Sequence, residues 1–200
     1  MKNKILGRLV FIFIFLIIMS ICYAQNEQTA IHQDSQHKPG PPKLVEPSVD
    51  GIYQLPAATI KFFPPKGWKK IDMNTLYPPL TVDFMYSKDV KAGGPVLGIL
   101  AMTLSSEPAE FMEQIRGTDG TLAYGNQLLK EEDITFLDTK AYSCITINTN
   151  KVKQKTIVFI KANKAYQISF TAKEVEGFDN LLPIVDESLK TFEIISSVPK

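Results

Sequence analysis

The stretch from Lys164 to Ile195 limits the possible folds more than any other part of the chain. Tyr166, Ile168 and Phe170 alternate with Gln167, Ser169 and Thr171, the period of a strand with one buried face and one wetter face. Phe178, Leu181, Leu182, Val185, Leu189 and Phe192 then recur at helical spacing and form one apolar stripe. Pro183 falls inside that stripe. Because proline lacks an N–H, it is best placed in the first helical turn, which puts the expected cap at Asp179 or Asn180. Thr191 to Ile195 reads as a closing strand. A helix with one apolar stripe between two strands needs a sheet to cover, and the upstream sequence supplies one.

Strand candidates run from Thr59 to Phe63, Leu80 to Tyr86 and Val96 to Leu104, the last apolar on both faces as a central strand would be. Ser105 or Ser106 can cap a helix over Glu107–Ile115, with Pro108 in its first turn and Gly117 just beyond its end. Residues 117–125 carry three glycines and no hydrophobic period, so they read as a loop and the place to look for a binding surface; Asp119 and Tyr124 are its candidate binding residues. Four strands follow, over 126–134, 140–149, 153–161 and 164–171, joined by short turns that imply antiparallel neighbours. The expected fold class is α+β: a mostly antiparallel sheet of six or seven strands with helices packed on its faces. Trp68, Tyr166, Phe170, Phe178 and Phe192 are the expected structural anchors of its core.

Both ends of the domain organisation are set by composition. Residues 1–24 begin with Lys2, Lys4 and Arg8, run through apolar residues and end on Ala24, the pattern of a cleaved secretory signal. Their apolar run from Leu9 to Cys22 is 14 residues, short of the roughly 20 a membrane-spanning helix needs, which sets the uncleaved anchor as the alternative. Ile21 is too bulky for the small residue expected before a lipidated Cys22. Residues 25–50 are rich in proline and glutamine and read as a disordered linker, with the globular domain over 51–200. Secretion or periplasmic residence is therefore the expected localisation. Cleavage would leave 19 cationic against 21 anionic side chains, a balance that argues against general nucleic-acid binding. It would also leave Cys144 as the one cysteine, placed in an apolar strand where burial is expected.

Ile60-Lys61-Phe62-Phe63-Pro64-Pro65-Lys66-Gly67-Trp68, the strand Tyr166 to Ala172, and the run from Phe178 through Leu182-Pro183 to Ile194 resemble the opening and closing motifs of PsbP-like domains. These are α/β/α sandwiches found in a photosystem II extrinsic subunit and in bacterial secreted proteins. The resemblance covers residues 52–196 and implies a non-enzymatic accessory or binding domain with a protein partner and no set of catalytic residues.

The chemistry of the domain is narrow. Both histidines, His32 and His37, lie in the linker, and residues 51–200 hold none. Serine–histidine and cysteine–histidine nucleophilic sites, and the usual zinc sites, therefore lack an essential part there. His32 and His37, with Asp34 between them, could form a weak metal site at a cost in chain entropy; two histidines in a polar linker need no such role. No cofactor is expected. Carboxylates remain: Glu131 and Asp133, two apart, would share a strand face and could serve a hard cation or an acid–base pair, with Asp119 a further candidate. Charge on a solvated edge strand accounts for the same residues. Lys151, Lys153 and Lys155 alternate beside a turn and are candidate contacts for an acidic partner or lipid head group. Two functional classes stay open beside the binding domain: a small-ligand carrier with an apolar pocket under the 106–116 helix, and a carboxylate- or cation-dependent hydrolase.

Overall fold

The computed structural model describes residues 43–72, 84–87, 94–116, 120, 122, 126–174 and 177–195. The signal-like segment, most of the linker, Asp119 and Tyr124 lie outside these residues.

Eleven strands and two helices are present among the described residues. In chain order they are β1 (Leu44–Val45), β2 (Ile52–Gln54), β3 (Thr59–Lys61), β4 (Lys69–Ile71), β5 (Phe84–Ser87), β6 (Val96–Thr103), α1 (Pro108–Arg116), β7 (Gln127–Phe136), β8 (Thr139–Ile147), β9 (Val152–Lys161), β10 (Lys164–Lys173), α2 (Phe178–Leu189) and β11 (Glu193–Ile195). Eight strands form one sheet in the order β1-β4-β5-β6-β10-β9-β8-β7, and three form a second in the order β11-β3-β2. Every pairing is antiparallel.

The α+β expectation holds in outline, but the strand count and the single sheet do not. Strands of two or three residues are too short to show a period in sequence. The Thr59 strand joins β2 and β11 in the smaller sheet, where Ile60 pairs with Ile194. Residues 43–50, ahead of Gly51, already contribute: β1 pairs with β4, and the Ser48 N–H donates to Tyr53 Oη at 3.0 Å.

The long hairpins are set by their turns. Leu137-Asp138 and Ala162-Asn163 all take positive φ, the two-residue geometry that matches the right-handed twist of the flanking strands. Asn148 Oδ1 accepts from the N–H groups of Asn150 and Val152, which turns β8 into β9.

The main sheet is covered on both sides. On one side lie α2 and the small sheet, packed over Leu97, Ile99, Ile157, Phe159, Tyr166, Ile168 and Phe170. Phe178 stacks on Phe170 at 5.0 Å, and Phe159 on Tyr166 at 5.0 Å. Trp68 and Phe192 are buried in the same cluster. On the other side α1 lays Phe111 and Ile115, one helical turn apart, onto Tyr142, Cys144, Val158 and Ala165. Cys144 is buried and forms no disulfide among the described residues.

Two local expectations fail for reasons that can be named. Strand β10 has no wet face, because it lies mid-sheet between β6 and β9 and is buried on both sides. Gln167 and Ser169 are kept inside by bonding each other at 3.0 Å. Helix α2 starts at Phe178 with Gly177 as its cap, ahead of Asp179 and Asn180. The Gly177 carbonyl accepts from the N–H groups of Asn180 and Leu181, at a φ of 85° that suits glycine. Pro183 thus sits within the second turn, where it removes the bond to the Asp179 carbonyl. Burial of Phe178 against Phe170 favours the earlier start.

Candidate functional site

A cleft of about 310 Å³ opens on the α2 side of the main sheet, lined by residues 134–137 at the end of β7, by Lys155 and Ile157 of β9, and by Asp186, Leu189 and Lys190 along α2. Strand alternation builds it: Ile134 and Phe136 point to the α2 side in the same rows as Ile157 and Phe159. Because α2 packs over β9 and β10, the outer end of the sheet keeps an apolar floor beside the helix. Strand β7 is the edge, exposed along most of its length, with a bulge between Leu128 and Lys130 and both Leu128 and Leu129 exposed. Sequence reasoning missed this cleft. Its signal was the change within β7 from charged Lys130–Asp133 to apolar Ile134 and Phe136.

The three candidate lysines separate in space. Lys151 is an exposed turn residue at positive φ whose carbonyl accepts from the Glu174 N–H at 3.0 Å. Lys153 and Lys155 share the α2 side of β9 and bond the helix at both ends. Lys153 Nζ reaches Asp179 at 2.8 Å and Glu174 at 3.2 Å, and Lys155 Nζ reaches Asp186 at 2.7 Å. Asp179 and Asp186 are seven residues apart, two helical turns, so one face of α2 carries both. The Asp179 carboxylate, with help from Glu174 and against partial desolvation, holds the Lys153 ammonium above its ordinary range. Two of the three charges are therefore compensated locally, and only Lys155 enters the cleft.

Glu131 and Asp133 of β7 are engaged on the other side of the sheet. Glu131 accepts from Tyr142 Oη at 3.1 Å, Asp133 pairs with Arg116 of α1, and the Arg116 guanidinium lies 4.6 Å from the Tyr142 ring centre. Glu132 pairs with Lys130 at 3.0 Å. Glu131 and Asp133 share a face, yet each serves the packing of α1. Among the described residues no group of three histidine, cysteine or acidic side chains could hold a metal. No described helix is long and apolar enough to cross a membrane. Phe111 and Ile115 pack beneath α1, and the cleft described above lies on the opposite side of the sheet from the pocket expected there.

No protein-family model matches the chain, and no curated protein is matched by it. The solved structures to which the chain is similar include the following two. The cyanobacterial PsbP from Synechocystis sp. PCC 6803 is 14% identical, with a TM-score of 0.48 over 81% of this chain and 98% of that one. A Pseudomonas aeruginosa protein of unknown function is 11% identical, with a TM-score of 0.42 over 74% of this chain and 97% of that one. In structure the chain is similar to a PsbP protein. Likenesses of this size carry no argument about function.

Proposed function

We propose that the chain from Lys43 onward forms a non-catalytic binding domain that engages a protein partner through the cleft between α2 and β7, and that the chain is exported, with residues 25–42 as its tether. The observation that carries the reading is the apolar floor of Ile134, Phe136 and Ile157, open beside the free edge of β7. Domains that bind through a fixed surface commonly leave such a floor uncovered and rimmed by polar groups. The lack of histidine in 51–200 and the engagement of Glu131 and Asp133 by α1 and Tyr142 weigh against hydrolysis. A photo-crosslinking amino acid at Lys190, exposed at the cleft, should give a discrete adduct in intact cells, while the same group at Glu113, on exposed α1, should not. Absence of the Lys190 adduct, or identical adducts at both positions, refutes the reading. Recovery of the protein from cytosol alone refutes export.

A second reading, a small-ligand carrier, draws on the volume of the same cleft, at the low end of the roughly 300–1,000 Å³ typical of ligand sites. Its mark would be a metabolite co-purifying with the protein in stoichiometric amount.

A further inference from the structure

Lys155 is the part-buried cation of the cleft, whereas Lys190 on its rim is exposed and pairs with Glu187. The Lys155 side chain is 16% exposed, and of its three N–H donors one goes to Asp186 Oδ1 at 2.7 Å. Asp186 is more open, at 41%, and a carboxylate that accepts from Lys155 at Oδ1 has further acceptor capacity. Ile134, Phe136, Ile157 and Leu189 surround the pair with apolar surface. The wall of the cleft thus offers donors and an acceptor side by side, and the pair has no net charge.

That arrangement discriminates between ligand charges. A carboxylate drawn to Lys155 would stand against Asp186 in a partly desolvated place, and an ammonium drawn to Asp186 would stand against Lys155. A neutral group carrying its own donor and acceptor on one side satisfies both. In an extended peptide the N–H and C=O of a single residue point to the same side, as they do when two antiparallel residues exchange both bonds. Side chains alternate across such a segment, so a flanking one can drop onto the apolar floor.

We propose that the cleft binds an extended, apolar segment of the protein partner, one residue of which donates its N–H to Asp186 and accepts at its C=O from Lys155. This rests on the reading of the cleft as a partner surface and names what that surface recognises. The Lys155–Asp186 pair acts as a surrogate strand neighbour placed over the sheet.

The test is a titration of the intact protein, followed by amide chemical shifts, with four probes: acetyl-leucine methylamide, its analogue methylated on the leucine nitrogen, acetyl-leucine with a free carboxylate, and an acetylated tetraleucine amide. The methylamide should bind with a dissociation constant on the order of millimolar and shift residues 134–137, 155–157 and 186–190. The N-methylated and carboxylate probes should each bind about tenfold or more weakly, and the tetrapeptide about tenfold or more tightly. A carboxylate probe that binds as well as the methylamide, or shifts confined elsewhere, overturns the proposal. Equal affinity for the methylamide and the tetrapeptide overturns the peptide source in favour of a small amide. The paired variant K155M/D186L should lose methylamide binding while keeping its circular dichroism. Unchanged binding in that folded variant also overturns the proposal, and the probe comparison on the unaltered protein decides the question if the variant does not fold. A Lys190 adduct that persists in the variant would leave the partner reading standing without this mode of recognition, whereas no adduct in the unaltered protein removes the partner reading itself.

Discussion

Strands β9 and β10 are buried on both sides, and the two sides have opposite chemistry. Toward α2 they present Ile157, Phe159, Tyr166, Ile168 and Phe170. Toward the α1 side the same strands bury Gln154, Thr156, Gln167, Ser169 and Thr171. Register keeps these polar side chains adjacent: Gln154 lies opposite Thr171, and Thr156 opposite Ser169. Gln154 Nε2 donates to Thr156 Oγ1 at 2.8 Å, and Gln167 Nε2 to Ser169 Oγ at 3.0 Å. The aromatic side draws stability from area removed from water. The polar side gains little net from each bond but suffers when a buried partner is removed. Burial fraction alone therefore says little about what a position contributes.

The sharpest way to break this contrast is a truncation on each side. Phe159→Ala should cost about 3–5 kcal/mol, measured by denaturant unfolding, because Phe159 packs against Phe136, Tyr166 and Phe192. Gln167→Ala should cost about 1–2 kcal/mol, mainly by leaving Ser169 Oγ without its donor. A larger loss there would mean that the polar side is as dependent on packing as the aromatic one.

Titration separates the sides in another way. Tyr86 and Tyr166 belong to the aromatic side, and burial pushes both phenols above their ordinary value of 10.0. Lys153 is raised above 10.5 by Asp179. In each case the folded state holds a proton that the unfolded chain gives up, so stability should fall as pH rises above about 10. Lys70, lowered by burial, pulls the other way below 10.5. Tyr86→Phe should flatten part of the alkaline fall in a urea series taken from pH 9 to 11, and an unaltered slope would count against it.

The smallest expected effect is at Thr171, which is 0% exposed and whose Oγ1 has no hydrogen-bonding partner among the described residues. Thr171→Val should be neutral or stabilising by up to about 1 kcal/mol. A clear loss would place an internal water on that hydroxyl.

Much of the larger sheet was legible. The four-strand meander was written in short turns, and α1 in its proline and glycine signals. Strand β10 misled because alternation reports two faces of different polarity, which normally means core and water but here means two kinds of core. The cap of α2 misled because a rule for one proline was outweighed by the packing of Phe178. Short strands β1, β2 and β4 leave no period to read. The cleft was hidden for a further reason: it arises where a helix stops covering a sheet, and no local pattern records where an element from another part of the chain comes to rest.

The pairing of β3 with β11 bears on how the chain is made. Ile60 has its ladder partner in Ile194, and the Phe63 N–H reaches Thr191 Oγ1 across 128 positions. The opening motif, including Phe62 packed on Phe192, therefore has no complete home until Ile194 has been synthesised. Until then the emerging polypeptide stays uncommitted, open to chaperones and proteases, and its first half cannot outrun its second. Loss of a few residues around Ile194 by clipping would undo β3 as surely as β11, so an early strand of the sheet is only as durable as the segment that closes on it.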